Sequence, residues 1–187
     1  MRQIAIILTF ISAAILRSCS YSETKNERFN RAITEFNKKV KSIELNNYYP
    51  NSYTEVKTDS IIANTFDVRI KTFSAATGYI LIETTTNNHL TEQLFHKDFY
   101  SEIKVHVSDR IVYQKQLKAS LFDRASDPIF WDNATLEHVW IDQWSSNTNS
   151  LALHVSLMNP LENTFKLYEI RIDRLGNETM RLINQNS

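Results

Sequence analysis

Three hydrophobic patterns succeed one another along the chain, and each predicts a different kind of structure. The first is an unbroken apolar run, Ile4 to Leu16, preceded by Arg2 and followed by Arg17-Ser18-Cys19. Thirteen residues at a helical rise cover only about 20 Å, against roughly 30 Å of hydrocarbon for a spanning helix. The charged start, the short apolar stretch and the residues ahead of the cysteine read instead as a bacterial lipoprotein signal, with residues 1–18 removed and Cys19 as lipid acceptor. Arg17 departs from the small or apolar residue usual at its place. Ordinary secretory cleavage after Ser20 is the competing reading, because Ser18 and Ser20 satisfy the small-residue rule.

The second pattern is a helical stripe. Between about Glu23 and Leu45, Phe29, Ile33, Phe36, Val40 and Ile43 recur at spacings of four and three. Thr24 and Glu27 have the spacing of a capping box, and Glu27 with Arg31 and Glu35 with Lys39 are i,i+4 pairs of favourable orientation. Packing on its own domain and pairing with a second copy both fit a stripe of this length. Asn46 to Ser52, with Tyr48-Tyr49-Pro50, is expected to end the helix.

The third pattern has period two. Phe66, Val68 and Ile70 alternate with Asp67, Arg69 and Lys71, Ile103, Val105 and Val107 alternate with Lys104 and His106, and Leu151, Leu153, Val155 and Leu157 recur at every second position. Such alternation is the mark of strands with one buried face. Ser108-Asp109 predicts a tight hairpin into Ile111-Val112-Tyr113, and Leu175-Gly176-Asn177 predicts another between Phe165–Asp173 and Glu178–Ile183. With Tyr79–Thr84 and Leu136–Trp144, the count reaches about eight or nine strands, while His89 to Tyr100 reads as a mixed connection. The expected fold is mainly β: an antiparallel sandwich or partly open barrel preceded by one amphipathic helix. Residues 19–52 form the lipidated cysteine, tether and helix, and residues 53–187 a single β-rich domain.

Composition narrows the possible chemistry. Gly78 and Gly176 are the only glycines, so no glycine-rich nucleotide loop is present. Asparagine occurs 17 times, and the pairs Asn46-Asn47 and Asn87-Asn88 look like turns, since Asn tolerates the left-handed conformation. Once Cys19 is acylated no thiol remains, so the fold stands without disulfides. Removal of residues 1–18 takes away Arg2 and Arg17, leaving 19 Lys and Arg against 21 Asp and Glu. A slightly acidic balance without a basic stripe argues against nucleic acid as a partner.

All three tryptophans, Trp131, Trp140 and Trp144, fall within fourteen residues. An indole offers a flat face for a sugar ring or other apolar ligand, and these three are the candidate ligand-binding residues. The same spacing serves a core: Trp140 and Trp144 share strand parity with Leu136, which predicts at least one of them inside. Asp132, Glu137 and Asp142 are candidate paired carboxylates of a cleft. His106 and His154 are expected on the polar sides of their strands, and His89 and His96 lie seven apart. No metal-ligand spacing links the histidines, so neither a metal nor a cofactor is expected. The chain lacks the G-x-S-x-G and H-E-x-x-H signatures, and no catalytic residue is assigned.

The run His96-Lys97-Asp98-Phe99-Tyr100 through Ile103-Lys104-Val105 and Ile111-Val112-Tyr113 resembles a family of small uncharacterised lipoproteins of Bacteroides-type bacteria, a domain-of-unknown-function family. Phe130-Trp131, Val139-Trp140-Ile141-Asp142, Leu151-Ala152-Leu153 and Tyr168 to Asp173, ending at Gly176, follow in the order of that group. The resemblance covers roughly residues 53 to 180 and implies a β-rich domain behind a lipid anchor, without an activity. Ser20 after the acceptor cysteine is similar to the pattern of lipoproteins sent to the outer membrane. The expectation is therefore an envelope protein facing the periplasm and held in the membrane by its lipid. Its domain is read as a non-enzymatic binding or interaction module whose partner is another envelope protein or a glycan. A glycan or small-ligand binder using the tryptophans, and a hydrolase with an unfamiliar site, are the alternatives.

Overall fold

The computed structural model describes residues 24–39, 43–87, 89–122 and 127–186. Cys19, with the apolar run before it, lies outside the described residues. The chain divides into two compact units, one ending at Ile43 and one beginning at Glu44. The first holds helix α1, Lys25–Lys39. Its start is the capping box expected from the sequence: the Thr24 N–H donates to Glu27 Oε2 at 2.8 Å, and the Glu27 N–H to Thr24 Oγ1 at 3.3 Å. Two donors with no partner inside the helix are thereby satisfied. No residue of α1 is buried.

The helix is shorter than its hydrophobic stripe. Ile43 and Leu45 belong to strand β1, Ile43–Tyr49, so Asn46-Asn47 is mid-strand and not a turn. Tertiary pairing explains the difference. β1 lies beside β4, Leu90–Val107, and Tyr48 packs its ring against Phe95 and Tyr79, with centroids 5.5 and 4.9 Å away. These contacts and the ladder outweigh the weak strand preference of asparagine.

The second unit is mainly β. Its first sheet contains β1, β2 (Glu55–Ile62), β3 (Phe66–Asn87), β4 and β5 (Arg110–Leu117), in the order β1-β4-β3-β2 with β5 also on β4. The second sheet runs β6-β7-β8-β9, formed by Thr135–Ile141, Ser150–Asn159, Thr164–Asp173 and Glu178–Asn186. β3 and β4 pair antiparallel from Phe66↔Val107 to Asn87↔Leu90. The stretch His89–Tyr100 is thus largely strand rather than a mixed connection. The register slips twice along this pairing, between Ser74 and Tyr79 and between Leu81 and Glu83, and the extra residues lie in β3. Beyond those slips residues 83–87 are exposed, and the hairpin continues as a ribbon.

Where the alternation is regular, the two sheets share one core. Phe66, Val68 and Ile70 of β3 and Ile103 and Val105 of β4 join Leu151, Leu153, Val155 and Leu157 of β7 and Ile170 and Ile172 of β8, all buried. This is the sandwich expected from period two. One end is closed by helix α2, Pro128–Asp132. Asp127 caps it by accepting the Phe130 N–H, and the largely buried Lys166 donates to Asp127 at 2.9 Å while resting on the Phe130 ring. Polar links also join the sheets. The Phe99 N–H donates to Thr135 Oγ1 at 3.0 Å, and Glu178 of β9 accepts the Tyr113 hydroxyl at 2.6 Å and Lys115 Nζ at 2.5 Å, both from β5. The β8–β9 turn leans on the same strand: Gly176 has φ +88°, and a Cβ there would lie 1.8 Å from the Val112 carbonyl oxygen.

Candidate functional site

The tryptophans separate into three environments. Trp131 is 4% exposed and packs among Phe122, Phe130 and Tyr168, so it is a core residue and not part of an open ligand platform. The parity expected for β6 also fails. Leu136 pairs with Leu157, but the next partner pair is His138 with Ser156, so Glu137 is an extra residue in the strand. One inserted residue exchanges the faces. Leu136 and Val139 both point into the core, and Trp140 moves to the outer face, half-buried. Trp144 lies beyond the strand, on a turn, and is 99% exposed.

That turn is tied on several sides. Asp142 Oδ1 accepts the N–H groups of Trp144 and Ser145 at 3.1 and 3.3 Å. The Ser146 hydroxyl donates to the Asp142 carbonyl at 2.6 Å and accepts the Ala152 N–H at 2.9 Å. Hydrogen bonding from Ser145, above all, holds the Asp142 carboxyl below its usual range. The exposed indole is therefore presented by a backbone whose donors are already engaged.

Behind the turn a row of side chains crosses the outer face of the second sheet. Trp140 of β6 is opposite His154 of β7, which is opposite Glu169 of β8, which is opposite Arg181 of β9. The Trp140 ring meets His154 edge-on at 5.4 Å and stacks on His138 at 5.6 Å. His154 Nε2 is 3.5 Å from Asp142 Oδ2. Glu169, only 3% exposed, accepts Arg171 Nε and Nη2 at 2.8 and 3.0 Å and Arg181 Nε at 2.8 Å. The two guanidiniums, Arg171 first, pull its carboxyl below the usual range. Asp142, His154 and Glu169 bring ligand atoms within 4.8 Å of one another. Two arginines already hold Glu169, however, and a cation placed there would face both, so the cluster reads as a polar network that braces the platform. Trp140, Asp142, Gln143, Trp144 and His154 line a shallow cavity of about 410 Å³.

A second concavity, of about 300 Å³, is lined by Tyr79, Asp98, Tyr100, Ser120, Asp132 and Thr135, among others. Burial pushes the Asp98 carboxyl upward, an effect that His96 partly opposes. Gly78, at φ +101°, lies over this group: a Cβ there would be 2.5 Å from Asp98 Oδ2. The three carboxylates singled out by sequence are not gathered into a cleft. Asp132 lines this concavity, Glu137 accepts the Ser156 hydroxyl at 2.5 Å, and Asp142 lies beside His154. The histidines are dispersed as well. His106 faces Asp67 on the first sheet, and His96 is buried with its Nδ1 2.8 Å from the Lys97 carbonyl oxygen.

Glu169, Arg171, Arg181 and Asp98 belong to no motif in the sequence. The first three occupy polar positions in alternating strands, but only the register makes them neighbours of His154. The fold and this face together define a two-sheet antiparallel sandwich with an aromatic and polar outer surface. The sequence matches no known protein-family profile and no characterised protein.

Proposed function

We propose that this is a lipid-anchored cell-envelope protein, tethered through Cys19, whose sandwich acts as a non-enzymatic binding module and takes a carbohydrate ring on Trp144. The observation that carries this reading is the 99% exposed indole on a turn tied down by Asp142 and Ser146. An apolar ring held out in water gains by stacking on the face of a sugar, and Gln143, Asp142 and His154 stand beside it as hydrogen-bonding groups. The shallowness of the surface favours recognition over chemistry that must exclude water. The signal-like sequence ending in Cys19, Ser20 after it, and the resemblance to Bacteroides-type lipoproteins support an outer-membrane address facing the periplasm.

The binding test is a titration of tryptophan fluorescence with soluble oligosaccharides, maltoheptaose and chitohexaose among them. A saturable change that disappears in Trp144→Ala, with the unfolding transition unmoved, supports the reading. Saturable binding that survives Trp144→Ala refutes the placement on this turn. The anchor is tested separately by labelling cells with a tagged fatty acid, where equal labelling of Cys19→Ser would exclude that residue as acceptor.

A further inference from the structure

Helix α1 presents an apolar stripe that its own unit does not bury. Phe29 and Phe36 are 66% and 67% exposed, and Ile33 between them is exposed as well. At about 100° per residue the three fall on one side of the helix, with Lys25 and Asn26 at its borders and Glu27, Arg31 and Lys38 on the opposite side. The charge on this segment is also distinctive. Lys25–Lys39 holds five Lys and Arg against two Glu, whereas residues 44–187 hold thirteen Lys and Arg against eighteen Asp and Glu. The helix is thus a cationic amphipathic segment attached to an acidic domain.

We infer that α1 lies in the headgroup layer of an anionic lipid surface, with Phe29, Ile33 and Phe36 in the acyl boundary and its cations among the lipid phosphates. This inference rests on the lipid-anchor reading, because Cys19 is five residues before Thr24 and would hold the helix close to the bilayer. A cationic helix with a strong apolar face but low mean hydropathy has the character of an interfacial helix, and it suits neither a spanning segment nor a buried one. Electrostatics favour a lipid surface over a second copy as the occupant. Two copies would bring together two segments of the same net positive charge, whereas an anionic leaflet attracts the helix and repels the acidic domain. The helix then adds its own contact to the retention that the acyl chains on Cys19 supply.

The experiment uses the chain beginning at residue 19, acylated and unacylated (Cys19→Ser), on vesicles of phosphatidylglycerol with phosphatidylethanolamine and on vesicles of phosphatidylcholine. In the acylated protein a Phe29→Trp reporter is expected to be quenched by brominated acyl chains in the anionic vesicles. In the unacylated protein, partition onto anionic vesicles is expected to fall about tenfold or more in the Phe29→Ser, Phe36→Ser double variant. An unquenched reporter while the fatty acid is attached overturns the helix inference and leaves the anchor standing. Failure of acylation refutes the anchor, and the Cys19→Ser partition then decides the helix alone. Charge-independent partition, or sedimentation as a dimer that the double variant abolishes, overturns the inference in favour of another occupant.

Discussion

Replacement of Glu169 by glutamine isolates the network behind the tryptophan platform. The side chain keeps its shape but loses its charge, and its new amide NH₂ must face guanidiniums that have no acceptor to offer. Three charge-assisted hydrogen bonds are affected, two from Arg171 and one from Arg181. Each such bond contributes about 1.5–3 kcal/mol when shielded from water. The side chains of Arg171 and Arg181 are 37% and 66% exposed, so solvent takes back much of that, and a loss of about 2 kcal/mol is expected for Glu169→Gln at neutral pH. The pH dependence carries the sign. Because the folded-state pKa is depressed, the stabilisation is fully present above the unfolded value, about 4.3, and fades as pH falls through the lower folded value. Urea unfolding of both proteins, at about pH 7 and again well below about pH 4, measures the gap directly. A gap that stays constant across that range, or none at neutral pH, would refute the account of Glu169 as an ionised acceptor for two arginines.

Gly176→Ala meets a backbone oxygen that cannot swing away, and φ is unfavourable as well. A loss of about 3 kcal/mol or more is expected in urea unfolding, and wild-type stability would show that the β8–β9 turn does not press on β5. Asp98→Asn removes a carboxylate whose burial raises its pKa, and a raised folded pKa means that the wild type loses stability as pH rises from the unfolded value through the higher folded one. The variant is therefore expected to gain on the wild type as pH is raised from about 3 to about 7, and a gain in the opposite direction would exclude desolvation as the cause. Deletion of Glu137 takes out the extra residue and leaves Leu136, His138, Val139 and Trp140 opposite the same partners in unbroken alternation, so the cooperative unfolding transition is expected to persist with Trp140 still outside; its loss, followed by circular dichroism on heating, would refute the reading of Glu137 as the inserted residue.

The fold was legible wherever alternation runs unbroken. β7 and β8 follow the pattern of Leu151, Leu153, Val155, Ile170 and Ile172 without interruption, and the capping box at Thr24 and Glu27 is where its spacing places it. Geometry that a partner strand decides leaves no such trace in the sequence. Nothing within Leu136-Glu137-His138-Val139-Trp140 announces which residue is extra, since the bulge exists only relative to β7. Asn46-Asn47 has the composition of a turn and becomes a strand because of the Tyr48, Tyr79 and Phe95 cluster. The site was half legible for the same reason. The tryptophans were visible as residue types, but their sorting into buried Trp131, half-buried Trp140 and exposed Trp144 follows from the bulge and the turn. Glu169 gains its neighbours only through cross-strand register.

The β3–β4 hairpin belongs to two structural regimes at once. From Phe66 to about Ser74 its strands are clamped by the opposing sheet, whereas the ribbon past Gly78 carries the exposed run 83–87. Continuous strands are thus expected to yield discontinuous stability: amides near Val68 and Val105 exchange with solvent only on global unfolding, and those near Thr85 and Glu92 exchange through openings that leave the sandwich closed. A protease would accordingly meet the ribbon first and could nick it without dismantling the domain, so the two strands that begin in the core end as its most readily opened projection.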